Sequence, residues 1–216
     1  MSTPPDYFTR VGHRWPLILF LHGAGERGAR VEDVARHGLA RLLSDQAIRS
    51  EAEIAIGRDV AAQFIVVAPQ CPPLEVWSDD GLMALLDHVE RDYDVDARRV
   101  YVTGMSMGGF GTWSLGLRHP QRFAAIAPVC GGGRLADVAT ASSRQPAALQ
   151  RLGVWTFHGA KDRVVPAAES QRMFDALEAA GVRDTRLTVY PEIGHDAWNA
   201  AYGNPELYAW LLTQTL

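Results

Sequence analysis

What most constrains the fold of this 216-residue chain is a series of short, continuous apolar runs, each followed by a turn and then a helix-patterned stretch. Leu17-Ile18-Leu19-Phe20-Leu21 and Phe64-Ile65-Val66-Val67-Ala68 are the clearest; Val100–Thr103, Phe123–Val129, Val154–His158 and Leu187–Tyr190 follow. A strand with one wet face alternates apolar and polar residues, whereas these runs do not, so each is expected to be buried on both faces. Helical spacing is expected over Val31–Leu43, over Leu82–Tyr93 with Ser78 or Asp79 at its start, and over Gly108–Leu117. Further helices are expected over about Ala167–Ala180, closed by Gly181, and over Pro205–Leu216. The pattern predicts an α/β fold, a mostly parallel central sheet with helices on both faces. No linker or repeat interrupts it, so residues 1–216 read as one domain with a full core. Gly131–Gly153, rich in Ala, Ser and Arg, carries the weakest pattern.

Bulk properties exclude several function classes. A net charge of −4 offers no basic field to nucleic acid. No apolar run approaches the roughly 18 residues a membrane span needs, so no membrane partner is expected. Met1–Arg10 is polar and proline-bearing, without the apolar core of a signal peptide, which points to the cytoplasm; a secreted chain lacking its leader would read the same. Cys71 and Cys130 are too few for a disulfide scaffold and read as two separate thiols, with a bridge left open.

The chemistry is concentrated just after the strands, at the sheet edge where ligands of such folds bind. Gly104-Met105-Ser106-Met107-Gly108 is a G-x-S-x-G sequence between a strand and a helix, the setting of a nucleophile elbow. A serine hydroxyl needs a base, and the base an orienting acid, in the chain order Ser, Asp or Glu, His. Asp162 follows the strand ending at His158, and His195 follows the strand ending at Tyr190. Both therefore fall on the edge that carries Ser106. Two amides must hold the developing oxyanion. Met107, the residue after the nucleophile, supplies one; the loop His22-Gly23-Ala24-Gly25 supplies the other, assigned to Ala24 with Gly25 as second choice. Trp77 and Trp198 are candidate aromatic walls for substrate, set against plain packing. His22 is expected to orient its loop and His158 the turn holding Asp162, while His13, His37, His88 and His119 read as surface or packing residues.

Two rival readings fail on context. Gly23–Gly28 also matches G-x-G-x-x-G, but the next strand ends Val67-Ala68-Pro69-Gln70 without the acid a dinucleotide ribose requires. His158, Asp162 and His195 lack a helical pair of metal ligands, so no metal and no cofactor are expected.

Together these segments, with Ala68-Pro69-Gln70-Cys71-Pro72, Ala127–Gly133 and Gly194-His195-Asp196-Ala197-Trp198, resemble the α/β-hydrolase superfamily. The resemblance is to single-domain esterases of its phospholipase/carboxylesterase and polyhydroxybutyrate-depolymerase-like branch, with feruloyl and acetyl-xylan esterases as relatives. It implies Ser106, Asp162 and His195 as the triad and Ala24 and Met107 as oxyanion donors. It also implies a small-molecule ester as the substrate. Gly131–Gly153 is too short for the helical cap many members carry, so an open site without a cap domain and a preference for short acyl or small aryl and sugar esters are expected. A feruloyl or acetyl-xylan type of carbohydrate esterase is the alternative; outside enzymes, it is a hydrolase-fold binding protein.

Overall fold

The computed structural model describes residues 1–45 and 47–216. Among them, six strands form one sheet: β1 (Trp15–Leu21), β2 (Ile65–Val67), β3 (Val95–Met105), β4 (Ala125–Val129), β5 (Gly153–Gly159) and β6 (Thr185–Tyr190). Their spatial order is β2-β1-β3-β4-β5-β6, and every neighbouring pair is parallel. The helices are α1 (Gly38–Leu43), α2 (Glu51–Gln63), α3 (Asp79–Asp92), α4 (Met107–Arg118), α5 (Leu135–Arg144), α6 (Pro146–Arg151), α7 (Ala168–Ala179), α8 (Trp198–Tyr202) and α9 (Pro205–Thr213). This is the α/β arrangement, a parallel sheet with helices on both faces, that the apolar runs predict.

Alternate residues of each strand feed two cores. Leu17, Leu19, Leu21, Val100 and Val102 pack with Leu82 and Leu86 of α3, Trp113 of α4 and Met173 of α7. Ile18, Phe20 and Tyr101 pack on the other face with Leu39 of α1, Val60 of α2 and Leu207 and Leu211 of α9. The chain leaves β1 for β2 on one side and returns to β3 on the other, so a crevice opens at the carboxyl ends of β1 and β3.

Several elements depart from the sequence reading. Val31–Leu43 is not one helix: a 3₁₀ turn over Val31–Ala35 precedes α1, and His37 between them is fully extended. α2 arises where no helix is expected, opened by a capping box in which the Ser50 hydroxyl and the Glu53 carboxylate serve each other's backbone amides. The weakly patterned stretch after β4 folds into α5 and α6; α5 packs against α4 and α7. β3 starts earlier than expected, at Val95. Ser78 caps α3, accepting a hydrogen bond from the Gly81 amide.

The tightest contact between layers lies at the start of α4. A methyl group added at Gly108 would sit 1.9 Å from the Leu21 carbonyl oxygen, and one at Gly104 would sit 2.7 Å from the same atom. No rotamer relieves a clash with backbone, so the helix must approach β1 without a side chain there. Gly108→Ala is therefore expected to cost about 2–3 kcal/mol. Calorimetry should show Tm lower by roughly 5–10 °C for a chain of this size; an unchanged Tm would contradict the packing described.

Candidate active site

Ser106 stands at the β3–α4 junction with φ 53 and ψ −116, a left-handed conformation rare for a residue with a side chain. Two hydrogen bonds hold it there: its amide donates to the Val129 carbonyl at 2.9 Å, and its carbonyl accepts from the Phe110 amide at 3.0 Å. The strain lifts the hydroxyl above the sheet edge. On its other side runs the loop after β1, where a methyl at Gly23 would lie 3.6 Å from the Ser106 Cβ.

The structure brings the three predicted groups together. His195 Nε2 lies 2.8 Å from Ser106 Oγ, and His195 Nδ1 lies 2.7 Å from Asp162 Oδ2. A carboxylate only accepts, so Nδ1 carries the proton and donates to Asp162; Nε2 is then the lone-pair nitrogen that accepts the serine hydroxyl. Asp162 Oδ1 accepts the Val164 and Val165 amides at 2.8 and 2.9 Å. Burial alone would raise the Asp162 carboxyl, but the hydrogen bonds from His195, Val165 and Val164 outweigh it and hold it below its ordinary value. Asp162 thus stays ionised beside the imidazole. The two loops are stitched to each other: the Lys161 amide donates to the Ile193 carbonyl at 2.9 Å. Gly159 permits that approach, since a methyl there would meet the Gly194 carbonyl at 2.1 Å.

Buried histidines support the site from below, as the sequence suggests for His22 and His158. His22 Nε2 accepts the Cys71 amide at 3.0 Å, so its Nδ1 donates to the Gly23 carbonyl at 2.7 Å and shapes the loop. His158 Nε2 lies 2.9 Å from the Val165 carbonyl and 3.2 Å from Asp162 Oδ2, tying the acid to its own turn. Both cysteines are free and buried, and burial pushes the Cys130 thiol up to about 12, so it holds no thiolate at neutral pH.

The two tryptophans part company. Trp77 Nε1 donates to the His22 carbonyl at 3.1 Å, and its ring meets the His22 ring edge-on. Together with Ser106, Met107, Phe110 and the Gly132–Arg134 segment, it lines a cavity of about 640 Å³. Trp198, proposed from sequence as a second wall, instead opens α8 and places its ring edge-on to His195 at 5.5 Å. It is not among the cavity's lining residues. One pair escapes the sequence reading. Glu26, 4% exposed, closes the loop after β1 and sits with Oε1 2.6 Å from His37 Nδ1, and the His37 ring leans on Trp198. An acid inside a glycine-rich turn is its one sequence signal; its partner lies eleven residues on, in a segment read as helix.

A hydroxyl bonded to an imidazole that is in turn bonded to a buried carboxylate, at the carboxyl edge of a parallel sheet, defines the α/β-hydrolase class of site. Residues 60–205 match the dienelactone hydrolase family, and the chain belongs to that family. A Salmonella typhimurium protein described as "Putative carboxymethylenebutenolidase" is 32% identical over 130 residues, covering 57% of this chain and 47% of that protein. A bifunctional acetylxylan esterase/xylanase of Neocallimastix patriciarum is 26% identical, covering 68% of this chain and 21% of its own length. The chain thus spans half or less of these curated relatives. Among solved structures, a thermostable esterase superposes with a TM-score of 0.79 at 29% identity, covering 99% of this chain and 58% of that one. A ferulic acid esterase, at 18% identity and TM-score 0.72, shares the fold. No helix among the described residues is long and apolar enough to cross a membrane.

The depressed Asp162 pKa carries a sign for stability. The folded state prefers the ionised form, so the contribution is complete above the unfolded value near 3.8 and is lost as pH falls through the lower folded value. Urea unfolding between pH 3 and 6 should show a shallower loss of stability on acidification in Asp162→Asn than in the wild type. Identical pH slopes would contradict the ionised, hydrogen-bonded carboxylate.

Proposed function

We propose that this chain hydrolyses carboxylic esters through an acyl-enzyme on Ser106. The observation that carries the reading is the continuous hydrogen-bonded path from Ser106 Oγ through His195 to Asp162, opening on an apolar cavity. Membership of the dienelactone hydrolase family and the likeness to a thermostable esterase support it.

Ser106 Oγ attacks the ester carbonyl while His195 Nε2 takes its proton. Asp162, already ionised, holds the imidazole in the required tautomer and stabilises the cation that forms. The tetrahedral oxyanion is met by two amides without an intrahelical partner. Met107 is the first residue of α4, and Ala24 the first of the 3₁₀ turn Ala24–Glu26. His195 returns the proton to the departing alcohol. Water, deprotonated by the same nitrogen, then cleaves the acyl-enzyme and regenerates Ser106. Glu26 beneath Gly23 and Ala24 positions the loop that carries one of these amides.

The substrate class is a small ester whose apolar part enters the cavity beside Trp77 and Phe110. The acetylxylan esterase/xylanase relative favours a carbohydrate-linked ester as the second reading.

Ser106→Ala should lower turnover of p-nitrophenyl acetate by about 10⁴-fold or more, with the fold intact by circular dichroism. Undiminished hydrolysis would end the assignment. Glu26→Ala should reduce kcat at least about tenfold with a smaller change in KM, because it loosens an oxyanion donor rather than ground-state binding; a change in KM alone would place Glu26 outside that role.

A further inference from the structure

The loops after β1 and β2 are joined by a set of hydrogen bonds that the triad does not require. His22 holds the second loop twice: its ring accepts the Cys71 amide at 3.0 Å, and its carbonyl accepts the Trp77 indole N–H at 3.1 Å. The Gly28 amide donates to the Cys71 carbonyl at 3.1 Å, and Gln70 Nε2 donates to the Arg30 carbonyl at 2.8 Å. These bonds fasten both ends of the 22–30 segment. The outer side of the turn between them, which carries Ala24, is met by Arg27.

Arg27 Nε donates to the Ala24 carbonyl at 3.1 Å, and Arg27 Nη1 donates to the Glu75 carbonyl at 3.1 Å. The turn's own backbone bonds are longer. The Glu26 amide lies 3.3 Å from the Gly23 carbonyl and the Arg27 amide 3.4 Å from the Ala24 carbonyl, against about 2.9–3.0 Å for an ordinary N–H···O bond. Packing does not hold the turn from outside: Ala24 and Gly25 are exposed, and a methyl at Gly25 would find nothing within 4 Å. Glu75 is an anchored partner, because Trp77, two residues on, is bonded to the His22 carbonyl. The circuit from Ala24 through Arg27, Glu75 and Trp77 thus closes on His22, the residue at which the chain leaves β1. A guanidinium suits this task, since its planar fork donates in two directions at once, whereas an ammonium is a single point of charge. Among the described residues no carboxylate pairs with Arg27, so the fork serves the two carbonyls.

We propose that Arg27 is a positioning residue for the oxyanion donor: it clamps Ala24 to the loop that walls the cavity and thereby keeps the Ala24 amide aimed at the developing charge. It acts through the Ala24 backbone and not on the ester itself. An amide fixed before substrate arrives gives its full hydrogen bond only when the carbonyl oxygen becomes an oxyanion, so the clamp serves the transition state. Ground-state binding beside Trp77 and Phe110 does not pass through it. This assignment rests on the ester-hydrolase reading above and on Ala24 as a donor.

The test compares Arg27→Ala and Arg27→Lys with the wild type on p-nitrophenyl acetate. Each protein is also titrated with an aryl trifluoromethyl ketone, to which a serine hydroxyl adds to give a tetrahedral oxyanion. Both variants should lose about tenfold in kcat with KM within about twofold, and ketone affinity should fall by the same factor as kcat/KM. Arg27→Lys keeps the charge and most of the stem but not the fork, and should melt at the wild-type temperature. Wild-type kcat in Arg27→Lys would overturn the two-carbonyl clamp. A rise in KM with kcat unchanged, or a fall in kcat with ketone affinity unchanged, would place Arg27 away from the oxyanion and overturn the proposal. Each of these outcomes leaves ester hydrolysis standing; if the wild type itself cleaved no p-nitrophenyl acetate, the underlying reading would fall as well.

Discussion

The approach of α4 to the end of β1 is the constraint on which the site depends. Gly108 rests on the Leu21 carbonyl so closely that hydrogen is the one substituent the position accepts. That contact fixes the angle at which the chain leaves β3 and enters the helix. Ser106 must then take a positive φ, and its hydroxyl is held up toward His195 rather than down into the core. The same contact sets the loop after β1 beside Ser106, where a methyl at Gly23 would lie 3.6 Å from the Ser106 Cβ. Ser106 and the loop after β1 are thus placed by one backbone packing event, and the strain at Ser106 is sustained by the cores on either side of the sheet.

The orientation of the His195 imidazole depends on the pairing of two loops. Asp162 and His195 come from the ends of β5 and β6, adjacent strands, and Gly159 lets the His195 loop close over the Asp162 turn. The carboxylate is surrounded by donors from three sources: the imidazole of His195, that of His158, and the Val164 and Val165 amides. These groups pin the acid and keep it charged, so the imidazole it orients has one available tautomer.

Much of this is legible in the sequence because strands buried on both faces announce themselves as unbroken apolar runs, and because Ser106, Asp162 and His195 each follow an expected strand; β6, before His195, departs from the expectation of two buried faces, since it lies at the sheet edge and is only half-buried. What is not legible has physical reasons. α2 buries little beyond Gly57 and Val60, and Gly57 works by letting the helix sit against the Leu42 backbone, so no apolar stripe marks it. The break between the Val31–Ala35 turn and α1 is hidden because the apolar spacing continues across it. α5 and α6 rise from a stretch whose buried residues are mostly alanine, valine and single leucines. At the site, Trp77 and Trp198 look alike in sequence, both being loop tryptophans near a motif. Only the fold separates the one fixed to His22 and facing the cavity from the one packed on His195. Glu26 with His37 acquires meaning through a contact made by the folded chain.

The central claim is that Ser106 is a nucleophile activated by His195. Treating the folded protein with a fluorophosphonate and mapping the adduct by mass spectrometry tests it most directly. The account predicts one adduct per chain, on Ser106, formed rapidly in the wild type and far more slowly in His195→Ala. Absence of labelling, or an adduct on another residue while ester hydrolysis persists, would contradict it.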